Sequence, residues 1–129
     1  MDFLMSNSQL LLEKSAGFLW TKQAAILDNI ANAETPNYKA KVVTFEESIR
    51  SKLEEAASRP TGARKAVRDI LEDSELTVFE AQEQTRMDDN GVNVTSEMTE
   101  MIRNAYQQQY VYQAINKHYA LLRMAVKGQ

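Results

Sequence analysis

The sequence predicts a mainly α-helical protein whose long N- and C-terminal helices form an antiparallel coiled-coil-like pair, joined by a short middle region. Apolar residues recur with seven-residue periodicity at both ends of the 129-residue chain, the pattern of helices that pack along their length. Charges concentrate between these ends. Residues 41–94 carry 8 basic and 12 acidic side chains, whereas residues 1–40 carry 3 and 4 and residues 95–129 carry 4 and 2. We therefore divide the chain at these boundaries into an N-terminal helix with its closing motif, a middle region and a C-terminal helix.

The N-terminal helix is predicted from an apolar stripe that is broken once, by a glutamine. Its members are spaced alternately four and three residues apart: Leu12, Ala16, Leu19, Gln23, Ile26, Ile30 and Ala33. This spacing keeps the stripe facing one partner along the whole helix. Other apolar residues, among them Trp20 and Leu27, lie off the stripe. We expect further helices, from the same chain or from neighbouring chains, to cover them.

The segment NIANAETPNYKAK, residues 29–41, closes this helix. Proline at position 36 disfavours helical geometry at the residue before it, so the helix ends by about Glu34. A tight turn follows, because Asn37 accepts positive φ better than most residues. The amides of Asn29 and Asn32 can bond to the last carbonyls of the helix, as in an ordinary helix end. They can also bond to an adjoining chain, as in an assembly motif. Both interpretations stay open. The candidate motif residues are Asn29, Asn32, Thr35, Pro36, Asn37 and Tyr38.

The middle region predicts shorter elements. Residues 45–57 have one apolar face and predict a helix of about three turns. Residues 58–64 contain a proline and a glycine and predict a flexible loop, and residues 66–76 predict one or two further helical turns. Strand-forming β-branched and aromatic residues then precede an Asn-Gly pair of the kind that closes hairpins. We therefore place a small β-hairpin near residues 76–94.

The C-terminal helix carries the second apolar stripe. Its members are spaced three and four residues apart: Met98, Met101, Ala105, Gln108, Tyr112, Ile115, Tyr119, Leu122 and Val126. The rest of this helix holds neutral amides and tyrosines where a solvated helix would hold Lys and Glu. Such a surface suits contact with protein on more than one side.

The two stripes together predict a helix-pair interface. Its expected members are Leu12, Leu19, Gln23, Ile26, Ile30, Met98, Met101, Gln108, Tyr112, Ile115, Tyr119 and Leu122. A lone buried amide lacks a partner, whereas two facing amides can bond to each other and set the register. We therefore expect Gln23 to face Gln108, which places Leu19 opposite Tyr112.

Composition and charge exclude several classes of function. The chain has no cysteine, so disulfide scaffolds and cysteine-ligated metal sites are excluded. A formal charge of -3 argues against a nucleic-acid partner, which normally meets a basic face. No stretch approaches the ~20 apolar residues of a transmembrane segment. The N terminus lacks the basic flank of a cleavable signal peptide.

We expect a protein that is not an enzyme and that has no catalytic, metal or cofactor site. His118 is the single histidine, and the chain offers no cysteine or second histidine to act with it, so we interpret it as a helix-surface residue. Residues 86–97 resemble a calcium-binding loop with Gly91 at its sixth position. Arg86 then occupies the first position, where a carboxylate is needed, so a plain Asn-Gly turn is the better account.

The closing motif NIANAETPNYKAK closely resembles the N-terminal motif of the axial proteins of the bacterial flagellum, the rod and hook family. In that family an Asn-x-x-Asn-x-x-Thr-Pro-Gly-Tyr pattern closes the first long helix. Residues 88–129 are similar to the family's C-terminal segment, with a Gly-x-Asn-Val approach, an acidic helix start and a long amide-rich helix. Asn37 stands where the family more often has glycine, a small departure because asparagine also accepts the left-handed turn. The short length resembles the proximal rod members most.

The resemblance implies a structural subunit of the proximal rod of the flagellar basal body, which assembles helically and transmits torque. The two end segments would then be the assembly helices, and the middle region is the part that varies within the family. The implied partners are further copies of the chain, other rod proteins, the membrane-embedded ring with its rod adaptor, and the flagellar type III export apparatus. The implied location is the rod, outside the cytoplasmic membrane, reached without a cleaved signal peptide.

Two alternatives stay open from the sequence. One is the neighbouring proximal rod protein of the same family. The other is a cytoplasmic coiled-coil adaptor or export chaperone. An adaptor helix that works in water should carry Lys and Glu on its outer face, where this chain carries glutamine.

Overall fold

A computed structural model describes most of the chain, in five ranges: 6–44, 46–58, 61–74, 77–80 and 92–128. Within them only the backbone is described at 44, 46–51 and 77–80. The described elements follow in the order α1, β1, α2, α3, β2 and α4. The predicted fold class is confirmed, because two long terminal helices pack against each other and the elements between them are short.

Helix α1 spans Asn7–Ala31 and helix α4 spans Val94–Lys127. Each begins at a polar side chain, Ser6 for α1 and Asn93 for α4, that accepts a hydrogen bond from a main-chain N–H of the first turn. Helix α1 stops before the proline, as predicted. Helix α4 ends at Gly128, whose φ of 68° is the left-handed conformation that favours glycine.

The middle region contributes two short helices, α2 at Glu46–Ala57 and α3 at Ala63–Asp73. Helix α2 confirms the helix predicted over residues 45–57, and its Ala56 is almost completely buried. Helix α3 has three turns where the sequence predicted one or two. It begins directly after Gly62, whose φ of 75° turns the chain into the helix earlier than expected.

Two four-residue strands complete the middle region, β1 at Lys41–Thr44 and β2 at Thr77–Glu80. They pair antiparallel, with Val42 opposite Phe79. Strand β2 lies within the segment predicted as a hairpin at residues 76–94, but its partner is β1, a strand that the sequence analysis did not predict. The Asn-Gly turn of the predicted hairpin lies outside the described residues.

The core lies where α1, α4, β1 and α2 meet. Its buried members are Phe18, Leu19, Ala25, Val43 and Val111, with Leu12, Ala16, Leu53 and Ile115 packed at its margin. Helix α3 lies against the N-terminal half of α1. There Asn7 Nδ2 donates to the Arg64 carbonyl at 2.8 Å, and Lys14 Nζ donates to the Ser74 carbonyl at 3.2 Å. Helix α1 is therefore the central element, in contact with α4, β1 and α3.

The register of the helix pair differs from the one predicted. Gln23 Oε1 accepts from Asn104 Nδ2 at 2.7 Å, and Gln108 Nε2 donates to the Leu19 carbonyl at 3.1 Å. The partners of Gln23 and Leu19 therefore lie four residues, about one helical turn, nearer the N terminus of α4 than expected. The prediction paired the two glutamine side chains with each other. In the structure Gln108 bonds to the main-chain oxygen of Leu19, and Asn104 is the partner of Gln23.

Candidate functional site

Asn29 is the centre of the closing motif and is only 2% exposed. Its Nδ2 donates to the Lys41 carbonyl at 2.9 Å, and its Oδ1 accepts from the Lys41 N–H at 2.7 Å. One amide side chain thus satisfies both main-chain polar groups of the first residue of β1, as a neighbouring strand would. The Tyr38 hydroxyl donates to the same Oδ1 at 3.2 Å. This amide therefore holds the chain where it reverses from α1 into β1.

The rest of the motif forms a turn that is bonded to itself. Asn32 Nδ2 donates to the Asp28 carbonyl at 2.8 Å, and Asn32 Oδ1 accepts from the Thr35 hydroxyl at 3.2 Å. Asn37 has a φ of 60°, which confirms the positive φ predicted for it. The hydrogen bonds of both motif amides support the helix-end interpretation. Residues 35–37 are exposed, and their part in assembly stays a prediction.

A second group of amides lies between α1 and α4. Asn104 is fully buried, and its Nδ2 donates both to the Leu19 carbonyl at 3.0 Å and to Gln23 Oε1 at 2.7 Å. Within the described part of the chain, Asn104 Oδ1 has no hydrogen-bond partner. An unpaired buried oxygen costs roughly 1 to 3 kcal/mol, so this group does not maximise stability. Its hydrogen bonds form in one alignment of the helices, and they therefore select the register.

An ion pair joins the two helices beside these amides. Lys22 Nζ lies 3.0 Å from Glu100 Oε2, and Arg103 Nη1 lies 3.4 Å from Glu100 Oε1. The hydrogen bond from Lys22 is the main reason why the pKa of Glu100 lies below its ordinary value. Desolvation opposes this lowering of the pKa, and the charges of Lys22 and Arg103 add to it. The carboxylate is therefore stabilised in its ionised form at the helix interface.

The structure buries part of the predicted helix-pair interface. Eight of its members are buried or half-buried: Leu12, Leu19, Gln23, Ile26, Ile30, Met101, Gln108 and Ile115. The other four are exposed: Met98, Tyr112, Tyr119 and Leu122. The positions one residue before the first three of these are buried or half-buried instead: Glu97, Val111 and His118. The predicted interface contains the more apolar of two adjacent series on α4, whereas the less apolar series is the one that faces α1.

Among the described side chains, the large apolar and aromatic ones that are exposed lie on the two long helices. Trp20 on α1 is 69% exposed, and Tyr106 and Tyr110 on α4 are 70% and 73% exposed. Nearby on the same helices, Leu27 and Ile102 are also exposed. A concentration of large exposed apolar and aromatic side chains marks a surface that meets another protein.

Fold and surface together define a class of protein, a helical hairpin whose outer faces suit contact with other protein chains. Over the part of the chain that is described, no helix has the length and apolar content to span a membrane. These features agree with the resemblance drawn from the two ends of the sequence.

Comparison with known proteins identifies the family. The flagellar basal body rod protein FlgB of Bacillus subtilis (strain 168) is 28% identical over 125 residues, which make up 97% of this chain and 97% of that protein. The protein of the same name from Borrelia hermsii is 34% identical over 92 residues, 64% of this chain and 68% of that protein. No protein-family model matches the chain. The chain belongs to the FlgB family of flagellar basal body rod proteins.

Proposed function

We propose that this chain is a structural subunit of the proximal rod of the flagellar basal body, where it assembles helically and transmits torque. The observation that carries the proposal is the similarity to a rod protein along 97% of the chain. The uncovered aromatic and apolar side chains of α1 and α4 support it, because a subunit of an assembly keeps such surfaces for its neighbours. The partners are then further copies of the chain and other rod proteins.

The helix pair suits a load-bearing role. At 1.5 Å per residue, α1 is about 37 Å long and α4 about 51 Å long. The buried amide group and the Lys22–Glu100 ion pair tie the two helices together against sliding. Torque applied at one end of the pair is therefore carried along both helices.

We also propose a role in the rod for each of the three parts of the chain. Residues 1–40 and 95–129 serve as the assembly segments, and residues 41–94 provide the contacts that differ between members of the family. The exposed residues 35–37 of the closing motif extend the assembly surface at one end of the helix pair. The ring with its rod adaptor is a further partner. The flagellar type III apparatus delivers the chain outside the cytoplasmic membrane without cleavage of a signal peptide.

Purified basal bodies test the proposed function. Mass spectrometry of basal bodies from the parent strain should detect this chain with its N terminus uncleaved. A strain that lacks the gene should make rings without rods and should be non-motile, and expression of the chain should restore both rods and motility. A motile deletion strain, or a chain found only in the cytoplasm, would contradict the proposal.

A further inference from the structure

Helix α1 carries a second seven-residue series on the side away from its buried residues. Its members are all exposed, uncharged, and alternate between small and large: Gly17, Trp20, Ala24, Leu27 and Ala31. A Cβ added at Gly17 would meet nothing within 4 Å, so the space above this position is open. We call this series the α1 outer seam. Its small residues leave hollows into which large side chains of another helix fit.

Helix α4 carries a matching row. Exposed large apolar and aromatic side chains recur every four residues: Val94, Met98, Ile102, Tyr106 and Tyr110. Residues four apart on a helix form a ridge that packs into the groove of a neighbouring helix. We call this row the α4 ridge. It is uncharged like the α1 outer seam, and it supplies large side chains where the seam supplies hollows.

Each of the two surfaces points away from the buried face of its own helix. Successive residues are turned by about 100° around a helix, so the α1 outer seam points away from the face that buries Phe18 and Ile26. By the same geometry the α4 ridge points away from the face that buries Asn104 and Val111. One molecule therefore cannot bring its own seam and ridge together. A second copy placed side by side with the first can.

We propose that the α1 outer seam of one copy packs against the α4 ridge of the next copy. This inference rests on the proposed function and names the surface through which it is carried out. The contact joins two different surfaces of the same chain, so it does not close after two copies and instead propagates. A rotation at each step, combined with a rise along the axis of the assembly, turns the row of subunits into a helix, whereas a rotation without a rise would close it into a ring.

The register within the chain also predicts the register of this contact. Inside the pair, Leu19 lies against Gln108 and Gln23 lies against Asn104. A side-to-side step without a shift along the helices preserves this alignment between copies. It sets large residues on small ones twice and pairs two aromatic rings once, a favourable arrangement for an interface. To within about one residue, the facing pairs are Gly17 with Tyr110, Trp20 with Tyr106, and Ala24 with Ile102.

Introduced cysteines test the contact without background, because the chain has none of its own. The variant with both Ala24→Cys and Ile102→Cys is expressed in flagellated cells as the only version of the protein. Its basal bodies are treated with a mild oxidant and separated on a non-reducing gel. We expect a ladder of disulfide-linked multimers, since each copy is then linked to a neighbour on each side. Either substitution alone should give no ladder and no dimer.

The matched control combines Ala24→Cys with Tyr110→Cys. Tyr110 lies eight residues beyond Ile102, about 12 Å along the helix, which exceeds the roughly 7 Å between Cα atoms that a disulfide can span. This control should give no ladder. Gly17→Cys with Tyr110→Cys is a second in-register pair that leaves Ile102 in place, and it should give a ladder even where Ile102→Cys impairs folding.

Four results would overturn the inference. Dimers from Ala24→Cys alone would show that α1 meets α1. A control ladder as strong as that of the in-register pairs would show contact without register. Basal bodies that contain the chain but give no ladder with either in-register pair would show that these surfaces do not meet, while the proposed function would stand. Basal bodies that lack the chain would contradict the proposed function itself and the inference with it.

Discussion

Asn29 illustrates how a single side chain sets the path of the backbone. Asn29 is buried, and its amide bonds to the N–H and the carbonyl of the half-buried Lys41 and accepts from the Tyr38 hydroxyl. No other side-chain type offers one donor group and one acceptor side by side at this length, because aspartate would present only acceptors. The identity of this residue therefore depends on main-chain groups twelve positions away.

Replacing Asn29 with Ala should lower the free energy of unfolding of the isolated chain by about 1 to 3 kcal/mol, since both polar groups of Lys41 lose their buried partner. Asn32→Ala is the matched control. Its hydrogen bonds lie at a less buried turn, so we expect a loss of no more than about 0.5 kcal/mol. Urea denaturation followed by circular dichroism measures both. Equal losses for the two variants would show that the Asn29 amide holds no special position.

Glu100 should give the helix pair a dependence on pH. Its pKa in the folded chain lies below the ordinary value of 4.5, so the stabilisation is present above that pH and is lost as the pH falls through the folded pKa. Glu100 and its partner Lys22 are both partly exposed, which limits the contribution of the ion pair to the free energy of unfolding to about 1 kcal/mol. The difference in unfolding free energy between the parent and Glu100→Gln should therefore be larger at pH 7 than at pH 3. A difference that is constant over this range would mean that the ion pair adds nothing.

At the scale of elements, helix α4 shows what sequence periodicity can and cannot decide. Two seven-residue series run along it. They share Met101, Gln108 and Ile115, and they differ by one residue at the positions between these. Periodicity alone predicted a helix and found the shared positions. Hydrophobicity then favoured the series with tyrosine and methionine, whereas the buried series contains Asn104 and Val111. The sequence could not predict that Asn104 is buried in preference to an apolar residue, because its partners, the Leu19 carbonyl and Gln23, lie on the other helix.

The ends of elements follow the same division between local and distant causes. The end of α1 and the positive φ of Asn37 were predictable, because Pro36 and the turn chemistry act on adjacent residues. Strand β1 was not, because four residues hold too little pattern and its partners come from Asn29 and from β2. Neither partner is adjacent to β1 in the chain.

Asn104→Asp should disrupt the pairing of α1 and α4 far more than Asn104→Leu. The carboxylate would be fully buried and would face two acceptors, the Leu19 carbonyl and Gln23 Oε1, neither of which can donate a hydrogen bond to it. We expect a loss of about 3 kcal/mol or more at pH 7. Leucine of similar volume removes the unpaired Oδ1 and should cost much less. Thermal or urea unfolding of both variants decides the matter, and equal tolerance of the two substitutions would refute the role assigned to this amide.

At the scale of the whole molecule, the two long helices differ in how much of their surface other parts of the chain bury. The middle region and α4 cover the inner faces of α1, whereas residues 119–127 of α4 are exposed at every position. A helix without packing gains little from its own hydrogen bonds, since isolated helices shorter than about 12 residues are marginal in water. Among the described residues, the far end of α4 is therefore where contact with neighbouring chains would add most packing.

Hydrogen exchange on the isolated chain and on assembled rods should reveal this dependence. In the isolated chain we expect slow exchange where α1 and α4 pack, around Leu19 and Asn104, and fast exchange over residues 119–127. In rods the same terminal residues should become protected, because contact with neighbours supplies the packing that the single chain lacks. Strong protection throughout residues 10–33 and 96–126 of the isolated chain would contradict this expectation. It would mean that both helices are complete before assembly, and that the exposed faces only dock as preformed surfaces.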